Sequence, residues 1–121
     1  TIVILDGTIL GKPKDIHEAE EMLKALSGRS HQVLTAIGLG IKDQIQIRLT
    51  ATTVRFRQIT EHEIHRYLAS NNFLDKAGAY AIQGLAAVFI VEISGSYSGV
   101  MGLPLYETAQ LLEEVGIEIF A

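Results

Sequence analysis

Between Ile45 and Phe56 the chain reads IQIRLTATTVRF, with apolar side chains at alternate positions: Ile45, Ile47, Leu49 and Ala51, then Val54 and Phe56. A period of two belongs to a strand, whose successive side chains point to opposite faces. The fold must therefore contain a sheet that receives one long strand. The apolar series slips by one position between Ala51 and Val54. A one-residue slip moves every later side chain to the other face, so a bulge or bend is expected near Thr52-Thr53.

The remaining elements are read around that strand. Thr1-Ile2-Val3-Ile4-Leu5 is apolar and largely β-branched, as in a strand covered on both faces. Asp6-Gly7 separates it from Thr8-Ile9-Leu10, and such a pair between apolar runs signals a hairpin. Asp15 with Glu18 resembles a capping box opening a helix with Ala19, Met22, Leu23 and Leu26 on one face, which Gly28 stops. Gln32 to Leu39 reads as a strand, and a short turn at Lys42-Asp43 leads into the long one. Thr60 and Glu63 form a second capping-box pattern for a helix through Ser70, ended by Asn71-Asn72. Phe73 to Gly84 has no clean period and is a loop or short helix. Leu85 to Ile93 reads as a strand and Ser94-Gly95-Ser96 as a turn. Pro104 opens a last helix with Leu105, Ala109, Leu112 and Val115 as its apolar stripe, ended by Gly116. The expectation is one α/β domain over residues 1–121, a mixed twisted sheet with flanking helices.

Composition excludes several classes. Of the 121 residues, 48% are hydrophobic and 20% charged, a balance that a disordered chain does not have. The net charge of -4 gives no general attraction to nucleic acid or anionic lipid, so neither partner is expected. No cysteine is present, which removes disulfides, thiolate metal sites and cysteine nucleophiles and fits a cytoplasmic setting. No run reaches the ~20 apolar residues of a membrane span, and no export signal opens the sequence. The chain starts without Met on a strand-like segment, so an apolar patch and an unpaired edge are expected at Thr1 to Leu5.

Three segments are candidates for chemistry. Lys12, between Gly11 and Pro13, can act as a point charge on a phosphate or simply be a solvated loop lysine. Asp75-Lys76-Ala77-Gly78-Ala79-Tyr80 with Gln83-Gly84 is small and glycine-containing, so its backbone can approach a ligand. There Asp75 can hold a metal or water, Lys76 a phosphate, and Gln83 a base edge through its donor and acceptor pair; the alternative is an internally bonded turn. Gly102-Leu103-Pro104 opens a helix and is a weak candidate for an anion. His62 and His65 read as a solvated helix face, and His17 and His31 as surface residues. Arg48, Arg55 and Arg57 make a small basic face without stacking aromatics. No Walker loop, dinucleotide fingerprint or serine triad occurs.

Taken together and in order, Thr1-Ile2-Val3-Ile4, Gly11-Lys12-Pro13, Leu26 to Val33 (LSGRSHQV), Val54 to Arg57, Asp75 to Gly84, Gly95-Ser96-Tyr97 and Gly102-Leu103-Pro104 resemble the Maf (septum formation inhibitor) family of nucleoside triphosphate pyrophosphatases. The resemblance implies an inosine-triphosphatase-like α/β fold, a divalent cation such as magnesium or manganese, and hydrolysis of a nucleoside triphosphate to a monophosphate and pyrophosphate. The stretch from Asp75 to Gly84 is similar to the branch that takes dTTP and UTP. By the same resemblance Thr1 and Gln83 are linked to base specificity, and Lys12 and Lys76 to the phosphates. A homodimer is a further expectation. The family's opening Ser-x-Ser-Pro-Arg-Arg loop has no match here, and its proton-acceptor aspartate would directly precede Thr1. No catalytic residue is therefore matched within the chain, which alone is expected to be inactive. A non-catalytic interaction or division-regulating domain is the alternative.

Overall fold

The computed structural model describes residues 1–70 and 72–121; the expected helix end at Asn71 lies outside them. In chain order the elements are β1 (Ile2–Leu5), β2 (Thr8–Leu10), α1 (Ile16–Leu26), β3 (Ser30–Ile41), β4 (Gln44–Phe56), α2 (Glu61–Ser70), β5 (Ile90–Ser94), α3 (Tyr97–Met101) and α4 (Leu105–Glu114). Short 3-10 turns occupy Ala77–Ala79 and Leu85–Phe89. Among the described residues the strands form one sheet in the order β2-β1-β3-β4-β5, and every neighbouring pair is antiparallel.

The expected mixed sheet is thus an antiparallel one. A helix nonetheless makes one crossover in it. β2 and β3 both run against β1, so they are parallel to each other, and α1 connects them past the strand that lies between. Strand β1 is likewise not an edge, because it pairs on both sides; the edges are β2 and β5. Val3 and Leu5 are buried while Ile2 and Ile4 are half-buried, so β1 is fully covered on one face only.

Local chemistry accounts for the turns and caps. Asp6 and Gly7 have φ of 49° and 78°, the two positive values of a two-residue hairpin whose twist matches its strands. The Asp15 carboxylate accepts the Glu18 amide at 2.8 Å. At α2 the reciprocal box is complete: the Glu63 amide donates to Thr60 Oγ1 at 3.1 Å and the Thr60 amide to Glu63 Oε1 at 3.0 Å. Arg57 adds two bonds to the same carboxylate, at 3.0 and 2.8 Å. That guanidinium, helped by the Thr60 amide, pulls the Glu63 carboxyl down to about 2.

Strand β4 carries no bulge at Thr52-Thr53. Its ladder with β3 runs unbroken from Ser30↔Arg55 to Ile41↔Gln44. The slip in the apolar series is instead a change in which face carries the apolar side chains. Thr50, Thr52, Val54 and Phe56 point into the covered face, whereas Ile45, Ile47 and Leu49 lie on the open one. The two inward threonines are tolerated because both are bonded. Thr50 Oγ1 donates to the Thr35 carbonyl at 3.4 Å, and Thr52 Oγ1 accepts the Ser96 amide at 2.9 Å. The irregularity lies next to Phe56, where Arg55↔Glu92 is followed by Phe56↔Ile90 and Val91 is the extra residue on β5.

The strand expected over Leu85 to Ile93 starts only at Ile90. Its first half is a 3-10 turn that buries Ala86 and Phe89, three apart, and leaves Leu85 and Val88 exposed. Helices α1 and α2 pack with this turn on one face of the sheet. Leu23, Leu26, Val54, Phe56, Ile64, Tyr67 and Phe89 are central to the core there. Phe56 is the hub of its rings, with Tyr80, His31 and Phe89 at centroid distances of 4.9, 5.1 and 6.3 Å.

Candidate active site

A cavity of about 300 Å³ opens beside the N-terminal end of β1. It collects side chains from distant parts of the sequence: Thr1 and Val3, Lys12 after β2, Val33 of β3, the segment between α2 and the Leu85–Phe89 turn, and Val100 and Met101 of α3. All five residues singled out in the sequence, Thr1, Lys12, Asp75, Lys76 and Gln83, line this one cavity. The glycine-containing segment forms one wall of this cavity.

Its seating is specific. The Gly78 amide donates to the Gly11 carbonyl at 3.1 Å, tying the segment to the loop that carries Lys12. Gly78 has φ of 73°, and a Cβ there would stand 3.2 Å from Val3 Cγ2. Ala79 follows at φ 68°, a left-handed conformation that a non-glycine residue adopts at a cost of about 1–2 kcal/mol. Burial of Ala79 and Tyr80 holds it there.

His31, expected at the surface, is instead buried and forms the anchor of this wall. Its Nε2 lies 2.6 Å from the Tyr80 hydroxyl. Burial pushes the imidazole down to about 4, so it is neutral near pH 7. Burial, with Tyr67 nearby, raises the Tyr80 phenol, which keeps its proton. His31 Nδ1 has no hydrogen-bond partner among the described residues. The signal available in the sequence was its alternation with Val33 and Thr35, all three pointing inward.

Opposite this wall, Thr1 Oγ1 is 2.9 Å from Thr35 Oγ1, which is itself 2.6 Å from the Gly99 carbonyl. Gly99 brings α3 against the sheet: a Cβ there would be 2.7 Å from Thr50 Oγ1. That close approach carries Val100 and Met101 into the cavity, and sequence reasoning missed both. The only sequence clue was the small-residue run Ser94-Gly95-Ser96 and Ser98-Gly99 facing threonines on β3 and β4.

The electrostatics are mixed. Lys76 Nζ lies 3.5 Å from Asp75 Oδ2, and no ion pair to Lys12 is found among the described residues. Asp75 is the one carboxylate lining the cavity among the described residues. A magnesium-like cation is commonly held by one or two carboxylates, substrate phosphates and water, so a single carboxylate in a cavity that two lysines also line fits a metal that arrives with a phosphate-bearing ligand.

Other sequence candidates fall elsewhere. Gly102-Leu103-Pro104 does not line the cavity, and the Leu105 amide at the start of α4 is taken by Ser98 Oγ at 2.9 Å. Arg48 and Arg55 point to opposite faces of β4. Arg48 pairs with Glu114 at 2.7 Å and Arg57 with Glu63 at 2.8 Å, so no common basic face exists. His65 sits with Glu20 and Glu61 in an exposed cluster where Lys24 already lies 3.1 and 3.2 Å from the two carboxylates. No helix among the described residues is long and apolar enough to cross a membrane.

The chain is similar to proteins named dTTP/UTP pyrophosphatase. It is 65% identical over 120 residues to that of Nitrosomonas europaea, covering 99% of this chain and 58% of the relative. To that of Nitrosospira multiformis it is 58% identical over 120 residues, again 99% and 58%. To that of Aromatoleum aromaticum it is 53% identical over 116 residues, 96% and 56%. The chain thus spans just under three fifths of the length of these relatives. Residues 1–115 match the family described as Maf-like protein, and the chain belongs to that family.

Proposed function

We propose that this chain forms the nucleotide-binding part of a nucleoside triphosphate pyrophosphatase acting on dTTP and UTP. The observation that carries the proposal is the convergence of Thr1, Lys12, Asp75, Lys76 and Gln83 on one cavity. Relatives bearing that name support the choice of nucleotides. The parts divide by chemistry. Lys12 and Lys76 supply positive charge for a triphosphate, and Thr1 and Gln83 supply uncharged hydrogen-bonding groups for a base. Val3, Val33, Val100 and Met101 give an apolar floor on which a pyrimidine can rest.

In the reaction a water oxygen bonds to phosphorus as the α–β phosphoanhydride breaks. The monophosphate and pyrophosphate separate, and the water's proton passes to a carboxylate. Lys12 and Lys76 neutralise the oxygens on which charge gathers. Asp75 would provide one oxygen to a divalent cation bound with the substrate, which adds further charge neutralisation. The chain spans just under three fifths of its relatives, and the proton acceptor is proposed to lie in the part of their length that it does not span, so that residues 1–121 alone are expected to be catalytically silent. The setting is proposed to be cytoplasmic and the assembly a homodimer.

Pyrophosphate release from a panel of nucleoside triphosphates, with and without magnesium or manganese, tests this on the full-length gene product. Metal-dependent turnover concentrated on dTTP and UTP is expected. Gln83→Ala should lower turnover of those two roughly tenfold or more, because losing a hydrogen-bonding partner at a closed site costs about 1–3 kcal/mol. Equal loss on every nucleotide removes Gln83 from base recognition. A full-length protein that binds no nucleotide sinks the enzyme reading in favour of an interaction domain.

A further inference from the structure

The hydroxyl chain behind Thr1 has a direction that the geometry fixes. Thr35 Oγ1 stands 2.6 Å from the Gly99 carbonyl oxygen and 2.9 Å from Thr1 Oγ1. A carbonyl only accepts, and a hydroxyl owns one proton, so the proton of Thr35 points to Gly99. The contact with Thr1 must then be made by the proton of Thr1. Having directed its only proton away from the cavity, Thr1 Oγ1 turns lone pairs toward it.

This direction cannot easily reverse. Thr35 is 2% exposed, so no water competes for its hydroxyl. The Gly99 carbonyl belongs to α3, whose Ser96 cap accepts the Gly99 amide at 2.9 Å, and Gly99 is pressed against Thr50. A backbone group pinned by a helix and two strands therefore sets the polarity of a side chain at the mouth of the site.

We infer that Thr35 is a positioning residue for base selection: by holding the Thr1 hydroxyl as an acceptor, it lets the cavity take the N3–H of uracil or thymine and disfavours cytosine, whose N3 is bare. The inference rests on the reading of Thr1 and Gln83 as the base-facing pair. Thymine and uracil offer a donor at N3 between two carbonyl oxygens. Cytosine offers an acceptor at N3 beside an amino group. An obligate acceptor at Thr1 meets the first pattern with a hydrogen bond and the second with facing lone pairs. The Gln83 amide can turn to suit either neighbour, so it cannot make this distinction alone.

The test compares kcat/KM for UTP and CTP in the full-length gene product and its variants. Thr35→Val keeps the branched shape and removes the hydroxyl, freeing Thr1 to rotate its proton toward the cavity. The UTP-to-CTP ratio should fall by about tenfold, the scale of one hydrogen bond in recognition. Thr35→Ser keeps the hydroxyl and should keep the ratio, a rescue that loss of packing alone would not produce. Thr1→Val should lower the ratio similarly, and adding Thr35→Val to it should lower it no further. If the valine variant does not fold, Thr35→Ala, which also has no group to accept the Thr1 proton, carries the same comparison. An unchanged ratio in Thr35→Val beside a lowered one in Thr1→Val overturns the inference and leaves the reading of Thr1 standing. An unchanged ratio in Thr1→Val overturns both.

Discussion

The ladder between β3 and β4 is continuous, yet its two halves live in different surroundings. From Thr50 to Phe56, inward side chains meet α1, α2, α3 and the 3-10 turns, and Thr52, Val54 and Phe56 are no more than 2% exposed. From Gln44 to Leu49 the same strand is an arm. Ile45, Ile47 and Leu49 are 74%, 66% and 63% exposed, and directly across from them stand Gly40, Gly38 and Ala36. The ladder to β3 is the same in both halves, but from Thr53 to Phe56 the strand is also paired with β5, so the packed half gains both a second strand and a cover. The contrast shows that alternation specifies a strand without specifying which face will be covered, because covering is a property of what else the chain brings.

The largest way to expose the difference is truncation of one apolar side chain in each half. Phe56 is the hub of the ring cluster, so Phe56→Ala removes a fully enclosed aromatic and should cost about 3–5 kcal/mol. Ile47→Ala removes a side chain that is mostly in water and should stay within about 0.5 kcal/mol. Urea unfolding of both variants checks this. Comparable losses would mean that the arm is covered in solution.

A smaller effect comes from His31, which sits wholly in the packed half. Its folded value of about 4 lies below the ordinary 6.5. Above pH 6.5 neither the folded nor the unfolded state holds the extra proton, and the full stability is present. As pH falls from 6.5 toward 4 the unfolded chain takes the proton first, so stability is lost with a slope of up to about 1.4 kcal/mol per pH unit. Carboxylates such as Glu63, held at about 2, add their own loss only below their ordinary value of 4.5. Unfolding free energies measured from pH 7.5 to 5 should show that slope in the wild type and a flatter profile in His31→Gln. Parallel profiles would place the titration elsewhere.

How much of this was legible follows the same division. The Asp6-Gly7 hairpin, the turn at Lys42-Asp43, the Asp15 cap, the Thr60–Glu63 capping box and the helix stop at Gly28 were readable, because each depends on residues a few positions apart. The five cavity residues were picked out through family motifs, and their meeting in one place was not legible, since the loops after β2 and α2 are joined by a tertiary bond, from Gly78 to Gly11. Antiparallel order escaped because a helix between strands reads as a crossover whether or not another strand lies between them. His31 was misread because a histidine's burial depends on Tyr80, 49 residues away. The supposed bulge at Thr52-Thr53 failed for the reason the two halves differ: the apolar series changes face where the cover ends, and the strand itself runs on unbroken.

The smallest expected change in stability, with the clearest change in behaviour, belongs to the arm. Its open face carries Ile45, Ile47 and Leu49 over glycines and alanine, a flat apolar stripe with little to deter contact with a like surface. Its other face is occupied, since Arg48 reaches Glu114 of α4. Self-association of the 121-residue chain should therefore run through the open face. Ile47→Lys places a charge in the middle of that stripe, where like charges would meet on association. Folding stability should move by no more than about 0.5 kcal/mol, since nothing packs over the side chain. Sedimentation or light scattering across a concentration series should show the wild-type chain growing in mass and the lysine variant doing so far less. If instead the variant associates as the wild type does while a charge on the exposed edge strand, Ile9→Lys, abolishes association, the sheet edge and not the face is the adhesive surface.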